Sequence, residues 1–506
     1  NTSGVAAHGT MLNLTGGAAT KVDWRTLTAT GTAEKPLTLL KNESGIDLAD
    51  YTGAAKSETT DRAETNVDVR KNNDGKVTEI IYEGYQFARA ESASVIGTDT
   101  YGGISRAGNA THDNVITVAD GTHTNVYGGH TSGAGTTRDD RDNSYSNSVT
   151  ITGGTIGNVY GGYTAAADGT TNHNTVTLAG GTVTGTVSGG NRTAQGNKLV
   201  VNANARVGRI ENFEKYVFNY KESMAADPML TLTGGAASMR LDAIEANGTV
   251  TETPTTLVHN AAGLTIADYD NKPKSMLNAD GTRETNLDVR KTGTLLTDIV
   301  RYSSYSLKGT TESTTNNGNT WGGRSSAGNT TAENSVTITG GNHTDIYGGW
   351  TTGTGSQAAA DKRGDSISNK VTVNGSAAVS GTVYGGFTDV ANGKATRNDV
   401  TVDKAITGAV VGGKARGEAS GNTVTIKANT GAVTGGEGAI TNNNTVNLEG
   451  ASVNGTITGG TQADGTGNTL NVAGTNSAGQ IAGFQKVAFN TSGVAAHGTM
   501  LNLTGG

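Results

Sequence analysis

The stretch SVTITGGTIGNVYGG at residues 148–162 returns almost unchanged as SVTITGGNHTDIYGG at residues 335–349. In the first copy, Asn147, Val149 and Ile151 share one parity, and the Ser and Thr residues between them share the other. Residues of one parity face the same side of a β-strand. This alternation, broken by glycine pairs and without a helical period, predicts short strands joined by turns.

An Asn followed by such a strand recurs every 22 to 35 residues within each half of the chain. This spacing fits one coil of a solenoid. A buried amide must be hydrogen-bonded, and an inward Asn can pair with the Asn of the coils above and below it. We expect the glycine pairs to supply positive φ angles at the corners of the coils. The predicted structural ladder consists of Asn147, Asn174, Asn197, Asn334, Asn369, Asn398, Asn422, Asn444 and Asn468.

The composition agrees with a thin core made of many small side chains. The chain has 76 glycines but only six phenylalanines among its 506 residues, too few large residues for a thick globular core. The prediction is an all-β parallel β-helix, or β-solenoid. At roughly 25 residues per coil it would have about 20 coils and a length on the order of 100 Å. Right-handed winding follows from the general preference of parallel crossovers.

The sequence also contains a longer repeat, which includes many copies of the short one. ENFEKYVFN at 211–219 matches AGFQKVAFN at 482–490, and residues 490–506 repeat residues 1–17 without a change. We therefore expect a tandem repeat with a period of 489 residues, of which this chain is an excerpt. The predicted organisation is a repeat unit A at 1–218, a repeat unit B at 219–489, and the start of the next copy of unit A at 490–506.

Regularity differs along each repeat unit. The regular coils are expected at about 101–218 and 321–489, where the short phrase recurs. Residues of about 18–100 and 236–320 carry charged runs and fewer alternating strands. We interpret these two segments as coils with long excursions or as a small lobe beside the coils.

Charge and composition exclude several classes of protein. The net charge of −7 comes from 38 basic and 45 acidic residues that are spread along the chain, so no basic face for nucleic acid is predicted. The eight histidines do not form a recurring ligand set, and cysteine is absent. We therefore predict no metal site, no cofactor and no membrane-spanning segment in this stretch.

An aromatic residue precedes Gly-Gly in several coils. Stacked coils would align these rings into two short ladders, and such rings could form a platform for sugars. The alternative is that the rings stack on one another and stabilise the edges of the coils. The residues are Tyr101, Tyr127, Tyr160, Trp321, Tyr347 and Tyr384.

Two polar insertions contain candidate binding residues. KRGDS at 362–366 includes Arg363, Gly364 and Asp365, the form of an integrin-binding signal, although a triplet match is only a hypothesis. The corresponding insertion in the first half, RDDRDN at 138–143, could hold calcium through its aspartates. It lacks the glycine and terminal glutamate of a helix-flanked calcium loop, so a solvated loop is the preferred interpretation.

Many β-helices degrade polysaccharides, so an enzyme has to be considered. Such a site needs carboxylates gathered from neighbouring coils at one place. Here the acidic residues lie mostly in loops and vary from coil to coil, and no Ser-His-Asp set with a recognisable context occurs. We predict that the chain is not an enzyme.

The modules NSVTITGG and VYGG, together with the phrase GFQKVAFN before MLNLTGG, carry a family resemblance. The chain resembles the β-helical passenger region of bacterial autotransporter (type V secreted) adhesins over most of 101–235 and 321–506. The resemblance implies a location outside the cell or at the bacterial cell surface. It also implies an export signal and a membrane barrel elsewhere in the gene product.

These observations predict an extracellular or cell-surface fibre that acts as an adhesin stalk. Its loops would meet host or bacterial surface glycans or proteins, and copies of it would associate in tandem, end to end or side by side. The alternative is a purely structural filament, because the open end of a coil is an exposed sheet edge that invites pairing.

Overall fold

The computed structural model describes all residues except 3, 7, 32–35, 134–141, 193, 225–226, 249–254, 272, 354–363 and 506. Strands make up 54 % of the chain and helix 1 %, which confirms the all-β prediction. The chain divides into two compact units. Unit 1 contains the described residues up to 248 together with 255–268 and 290–300, and unit 2 contains 269–289 and the described residues from 301 onward.

The strands are numbered in chain order. The first twenty-five are β1 Thr10–Leu14, β2 Thr20–Asp23, β3 Leu37–Asn42, β4 Ile46–Ala49, β5 Lys56–Thr59, β6 Ala63–Lys71, β7 Val77–Gln86, β8 Ser94–Ile96, β9 Asp99–Ser105, β10 Thr111–His112, β11 Val115–Val118, β12 Thr122–Thr131, β13 Ser144–Tyr145, β14 Ser148–Ile151, β15 Thr155–Thr164, β16 Thr175–Leu178, β17 Thr182–Val183, β18 Thr186–Gly190, β19 Lys198–Val201, β20 Ala205–Val207, β21 Arg209–Glu211, β22 Lys215–Asn219, β23 Leu230–Leu232, β24 Ala237–Met239 and β25 Ile244–Asn247. Two short 3₁₀ helices lie at Glu222–Met224 and Leu241–Ala243.

The remaining strands complete the chain. They are β26 Thr255–Thr256, β27 Val258–Asn260, β28 Leu264–Ile266, β29 Lys274–Leu277, β30 Arg283–Thr292, β31 Leu295–Ser306, β32 Thr314–Asn316, β33 Asn319–Ser325, β34 Thr331–Ala332, β35 Ser335–Ile338, β36 Asn342–His343, β37 Ile346–Thr351, β38 Ser366–Ile367, β39 Lys370–Val373, β40 Ala378–Val379, β41 Thr382–Thr388, β42 Ala395–Thr396, β43 Asp399–Val402, β44 Ala409–Ala415, β45 Thr423–Ile426, β46 Val433–Glu437, β47 Thr445–Glu449, β48 Ser452–Gly460, β49 Thr469–Ala473, β50 Asn476–Ala482, β51 Lys486–Asn490 and β52 Leu501–Leu503.

Unit 2 contains two long parallel sheets. One has the order β35-β39-β43-β45-β47-β49-β51, and the other continues from β33 as β37-β41-β44-β46-β48-β50-β52, with β32 antiparallel at its edge. The chain passes from one sheet to the other at each step, so every passage adds one parallel strand to each sheet. Short parallel pairs, such as β36 with β40, lie between the two sheets in sequence.

Unit 1 has the same arrangement. One parallel sheet has the order β11-β14-β16-β19-β22-β25, and the other has the order β9-β12-β15-β18-β21, with β8 antiparallel at its edge. Strand β25 belongs to the predicted repeat unit B, yet it pairs with β22 of repeat unit A. For this reason unit 1 extends beyond residue 218.

The two less regular segments contain antiparallel hairpins beside parallel pairs. Strands β1 and β3 pair in parallel, as do β2 and β4, whereas β5, β6 and β7 form an antiparallel meander. The β6–β7 turn is closed by Asn72, whose side-chain oxygen accepts from the backbone N–H groups of Asp74 and Lys76, and Gly75 has a φ of 79°. In the second half β29 and β30 form the corresponding antiparallel pair.

The core of the parallel sheets in unit 2 is a continuous cluster of Val, Ile, Leu and Ala side chains that extends from Val336 to Ala478. Each strand of the two long sheets between β35 and β50 contributes one or two of these residues, in the parity that the alternation predicts. In unit 1 the segment before the regular coils has a separate small core around Trp24, Ile80 and Tyr82. Small side chains fill the parallel layers because each layer is thin.

Candidate functional site

The predicted asparagines of unit 2 form a continuous hydrogen-bonded ladder. The side-chain amide of Asn334 donates to the side-chain oxygen of Asn369 at 2.8 Å, and the same bond recurs four times along the row at 3.0–3.2 Å. Each oxygen also accepts from the backbone N–H of the preceding ladder residue. The ladder residues are at most 1 % exposed, so every buried amide is satisfied by its neighbours.

The ladder of unit 1 is shorter than that of unit 2, and it begins one strand earlier than predicted, at Asn114 instead of Asn147. Asn114 donates from its amide to Asn147 at 2.7 Å, and Asn147 donates to Asn174 at 3.0 Å. Between Asn174 and Asn197 only the backbone N–H of Asn174 donates to the side-chain oxygen of Asn197, at 2.8 Å. The phrase NVITV does contain Asn114, and its position before an alternating strand is the signal that could have identified it.

Each ladder ends on the glutamate or glutamine of the GF[EQ]K-like phrase. The backbone N–H of Asn197 donates to Glu214 at 2.8 Å, and that of Asn468 donates to Gln485 at 2.9 Å. The side-chain oxygen of Glu214 or Gln485 therefore takes the place of the next asparagine oxygen. This role explains why an acidic or amide residue recurs at that position in both halves.

The corners before the ladder residues use the left-handed backbone region. Ser146 and Ser368, which precede Asn147 and Asn369, both have a φ of 54°. A non-glycine residue in this region is held there against its own preference by the surrounding structure. The hydrogen bonds of the following Asn side chain in the ladder offset this backbone strain.

The Gly-Gly pairs after the aromatic residues were expected to supply positive φ, and this expectation is wrong. Gly128 and Gly129 lie within β12 and have no positive φ. A Cβ on Gly128 would lie 2.3 Å from the carbonyl oxygen of Gly161 on the next strand, and one on Gly129 would lie 2.7 Å from the amide nitrogen of Asn147. These positions are glycine because the ladder and the neighbouring strand leave no room for a side chain.

The aromatic residues of unit 1 form a stack in register. The ring centroids of Tyr101 and Tyr127 are 5.2 Å apart, and those of Tyr127 and Tyr160 are 5.3 Å apart, with interplanar angles of 14° and 11°. A second row, His130 on Tyr163 at 4.8 Å, lies beside it and meets the edge of the Tyr127 ring. The Tyr127 ring is thus packed by rings from the strands on both sides of it and by a ring from its own strand, whereas Tyr101 and Tyr160 lie at the two ends of the stack.

Unit 2 has a less regular stack. Tyr347 stacks on Tyr384 at 5.1 Å and on Trp350 at 4.6 Å. Trp321 pairs in register with Tyr347 but meets Trp350 at an angle of 60°. The Arg324 guanidinium lies 4.5 Å from the centroid of Trp350 and 4.6 Å from that of Trp321, as a cation–π contact.

Burial decides what these rings can do. Tyr127, Trp321 and Tyr347 are 8 %, 1 % and 7 % exposed, while Tyr101, Tyr160 and Tyr384 are half-buried or partly exposed. Burial also raises the pKa of Tyr127 and Tyr347 above the ordinary tyrosine value. A sugar platform needs accessible ring faces, whereas most of these faces lie against other rings. The geometry therefore favours mutual stacking, the alternative named above.

Of the RGD triplet, Arg363 lies outside the described residues. Gly364 is buried, with a φ of 85°, and its N–H donates to the Gly328 carbonyl at 2.7 Å. The Asp365 carboxylate accepts from the backbone N–H of Lys394 at 2.9 Å, and burial raises the pKa of this carboxyl. The aspartate is thus engaged within its own fold.

The acidic insertion of the first half is only partly described. Asp139 and Asp140 lie outside the described residues. Asp142 has a φ of 67°, and its carbonyl accepts from the Thr164 hydroxyl at 2.6 Å. Within the described part of the chain, no group of three or more His, Cys, Asp or Glu side chains is placed to hold a metal ion.

The matched histidines His123 and His343 have equivalent structural contacts. The Nδ1 atom of His123 lies 2.8 Å from the hydroxyl of Thr100, and that of His343 lies 2.7 Å from the hydroxyl of Thr320. In both cases Nε2 lies within 3 Å of a backbone carbonyl of the preceding turn. Their recurrence in the sequence follows from this shared turn.

Two buried carboxylates were missed by sequence reasoning. Glu284 is fully buried and accepts hydrogen bonds from Asn286, from Asn329 and from the hydroxyl of Ser325, at 2.6–2.8 Å. Glu64 has the same surroundings in unit 1, with equivalent Asn and Ser partners. The signal was the repeated ETN before LDVRK and VDVRK, which marks a carboxylate that ties a hairpin to the first regular strands.

Comparisons with family models, with curated proteins and with solved structures find no significant match to this chain. Among the described residues, no helix is long and apolar enough to cross a membrane.

Proposed function

We propose that this chain is a segment of an extracellular fibre at the bacterial cell surface, built as a right-handed parallel β-solenoid of about 20 coils. The fibre acts as an adhesin stalk, which spans distance and presents polar insertions to surface glycans or proteins. The observation that carries the proposal is the uninterrupted asparagine ladder of unit 2, in which six successive strands keep one register.

Such a ladder favours a stiff scaffold over a catalytic domain. The hydrogen bonds of the ladder join each layer to the next. The buried carboxylates Glu64 and Glu284 each accept several hydrogen bonds from Ser and Asn side chains of the same chain. A carboxylate engaged in this way is poorly placed to exchange protons with a substrate. We therefore propose a binding or structural role without enzymatic activity.

We propose that the insertions between β12 and β13 and between β37 and β38 bind the surface glycans or proteins, because the rest of each coil follows the repeat closely. Their sequences are polar and differ between the two halves. The test is binding of the purified chain to a glycan array and to cultured epithelial cells. Arg363→Ala should reduce cell binding if the triplet contributes, while Arg416→Ala, at an exposed arginine on a regular coil, should not.

The second candidate is a purely structural filament, and the burial of the aromatic rings favours it. Rings that are packed on one another stabilise coil edges and leave little surface for sugars. Ordered fibres in electron micrographs, together with the absence of binding to glycans and to cells, would support the filament and overturn the adhesin.

A further inference from the structure

The Arg324 side chain of unit 2 lies among aromatic rings. Its guanidinium carbon lies over the rings of Trp350, Trp321 and Tyr305, at 4.5, 4.6 and 4.8 Å from their centroids. Trp321 and Tyr305 are buried, whereas Arg324 and Trp350 are partly exposed. The cation is therefore held by apolar rings and is still accessible from solvent.

The structure shows no counter-charge for this cation. Among the described residues, Arg324 forms no ion pair and no hydrogen bond, and its Nε atom is buried without a partner. A buried charged donor is costly unless it is paired. The N–H donors of a guanidinium lie in a planar fork that matches the two oxygens of a carboxylate. Arg324 thus holds unused donors that fit a planar anion.

Unit 1 shows which group such a guanidinium binds. The shared ETN phrases at 64–66 and 284–286 align Tyr85 with Tyr305. The Arg106 guanidinium lies over the Tyr85 ring at 5.0 Å, and its Nη1 atom donates to both carboxylate oxygens of Glu83, at 3.2 and 3.3 Å. Glu83 is 1 % exposed, so the chain itself supplies a buried carboxylate to this cation.

Unit 2 keeps the cation over the tyrosine but lacks this carboxylate. In the same alignment Ser303 stands at the position of Glu83, and Arg324 stands at the position of Ile104. The position of Arg106 is occupied by a serine, so the arginine of unit 2 lies two residues earlier in its strand. A carboxylate from outside the chain would take the role that Glu83 has in unit 1.

The rings beside Arg324 favour a sugar acid as the source of this carboxylate. Trp350 pairs in register with Phe387 of the next strand, and both side chains are partly exposed. Binding sites commonly combine such apolar rings with a few polar groups that fix the orientation of the ligand. A uronic acid has C–H groups that can pack against the rings and a carboxylate that can reach the guanidinium.

We propose that Arg324, with Trp350 and Phe387 beside it, binds the carboxylate of an acidic sugar on the surface of unit 2. The N–H groups of Arg324 donate to the carboxylate oxygens, and the two rings contact the sugar. The inference rests on the proposed adhesive function, because it names a ligand class for the stalk and a site on the coils in addition to the insertions.

The first test compares two ligands that differ only in the carboxylate. Methyl β-D-glucuronide and methyl β-D-glucoside are titrated into the full chain, and binding is followed by ligand-observed NMR. The glucuronide should bind at least about tenfold more tightly, because hydrogen bonds between charged groups add to the contacts that both sugars make. Equal affinities for the two glycosides, or acetate that binds as tightly as the glucuronide, would overturn the proposal.

Two variants separate loss of the site from loss of the fold. Arg324→Gln removes the charge, and Ser303→Glu introduces the carboxylate that unit 1 has at this position. Each should reduce the preference for the glucuronide to within about twofold, whereas Arg416→Gln, at an exposed arginine, should leave it unchanged. Ser303→Glu should keep the melting temperature of the wild-type chain, since the new carboxylate has a cation to pair with. A preference that survives either variant would refute the site.

The cell-binding assay distinguishes a failure of this site from a failure of the stalk. Binding to cells that persists in Arg324→Gln, in a chain without preference for the glucuronide, would refute the site and leave the stalk in place. A preference for the glucuronide in a chain that binds no cells would do the reverse.

Discussion

The asparagine ladder is most directly perturbed at Asn398, in the middle of the row in unit 2. Its side-chain oxygen accepts from the amide and from the backbone N–H of Asn369, at 3.1 and 3.0 Å. Its own amide donates to Asn422 at 3.0 Å and to the Ser366 carbonyl at 3.1 Å. Asn398→Ala removes all four bonds and leaves the buried N–H of Asn369 without this acceptor.

An orphaned buried group costs about 1–3 kcal/mol, and the lost amide also leaves a small void, so we expect a loss of about 3 kcal/mol. In hydrogen exchange this corresponds to opening of the surrounding strands about a hundredfold more often. The assay is hydrogen exchange with mass spectrometry on peptides that cover β39, β43 and β45. Asn454→Ala, at an exposed position of β48, is the control and should change stability by less than about 0.5 kcal/mol. Equal protection in the two variants would show that the side chain of Asn398 does not stabilise the neighbouring strands.

Three further predictions concern single positions. Gly128→Ala should destabilise unit 1 by about 2 kcal/mol, because the new Cβ meets a carbonyl oxygen of the next strand, whereas Gly16→Ala, with open space around it, should be nearly neutral in thermal unfolding. Glu284→Gln should lower the free energy of unfolding in urea by about 3 kcal/mol, because an NH₂ group replaces one accepting oxygen and then faces the donors around it. An unchanged urea midpoint would contradict this. Burial lowers the pKa of His130, so protonation of this side chain favours the unfolded state. The melting temperature of the wild-type chain should therefore decrease as the pH falls below about 6.5. This decrease should be smaller in His130→Phe, and an identical pH profile of the two chains would contradict the assignment.

The parallel strands and the inward asparagines could be predicted because both follow from a period that the sequence repeats many times. An alternating strand has only one side that can be buried, and an Asn of the buried parity needs a hydrogen-bond partner, which the Asn of the next strand can supply. Asn147 and Asn369 therefore reveal their surroundings through spacing alone.

The glycine pairs could not be interpreted in this way. Glycine is required both where φ is positive and where a Cβ has no room, and the sequence does not distinguish these causes. At Gly128 the decisive atom is a carbonyl oxygen of Gly161, thirty-three residues away, which becomes a neighbour only when the strands are stacked.

The hairpin segments were the least predictable part. Their antiparallel pairing depends on the turn between β6 and β7 and on the Glu64 carboxylate, which reaches across 41 residues to Ser105. Neither feature belongs to the short repeat. The phrase ETN occurs at 64–66 and again at 284–286, but its recurrence does not reveal which residues the glutamate contacts. The burial of the stacked tyrosines also depends on a second row of rings beside them, formed by His130 and Tyr163. The parity of the strand residues does not predict that these two rows pack against each other.

The central claim is that successive strands lie in register, one layer per strand. The most direct test measures distances between nitroxide labels on paired cysteines in unit 2, with one label at Thr337 of β35 and the other at Asn447, Asn471 or Ala488. These residues occupy the same register position on strands four, five and six steps away. With a rise of about 4.8 Å per strand, stacking in register predicts mean label distances that increase by that amount at each step, from about 19 Å to about 29 Å. Distances that fail to increase with strand number would contradict it.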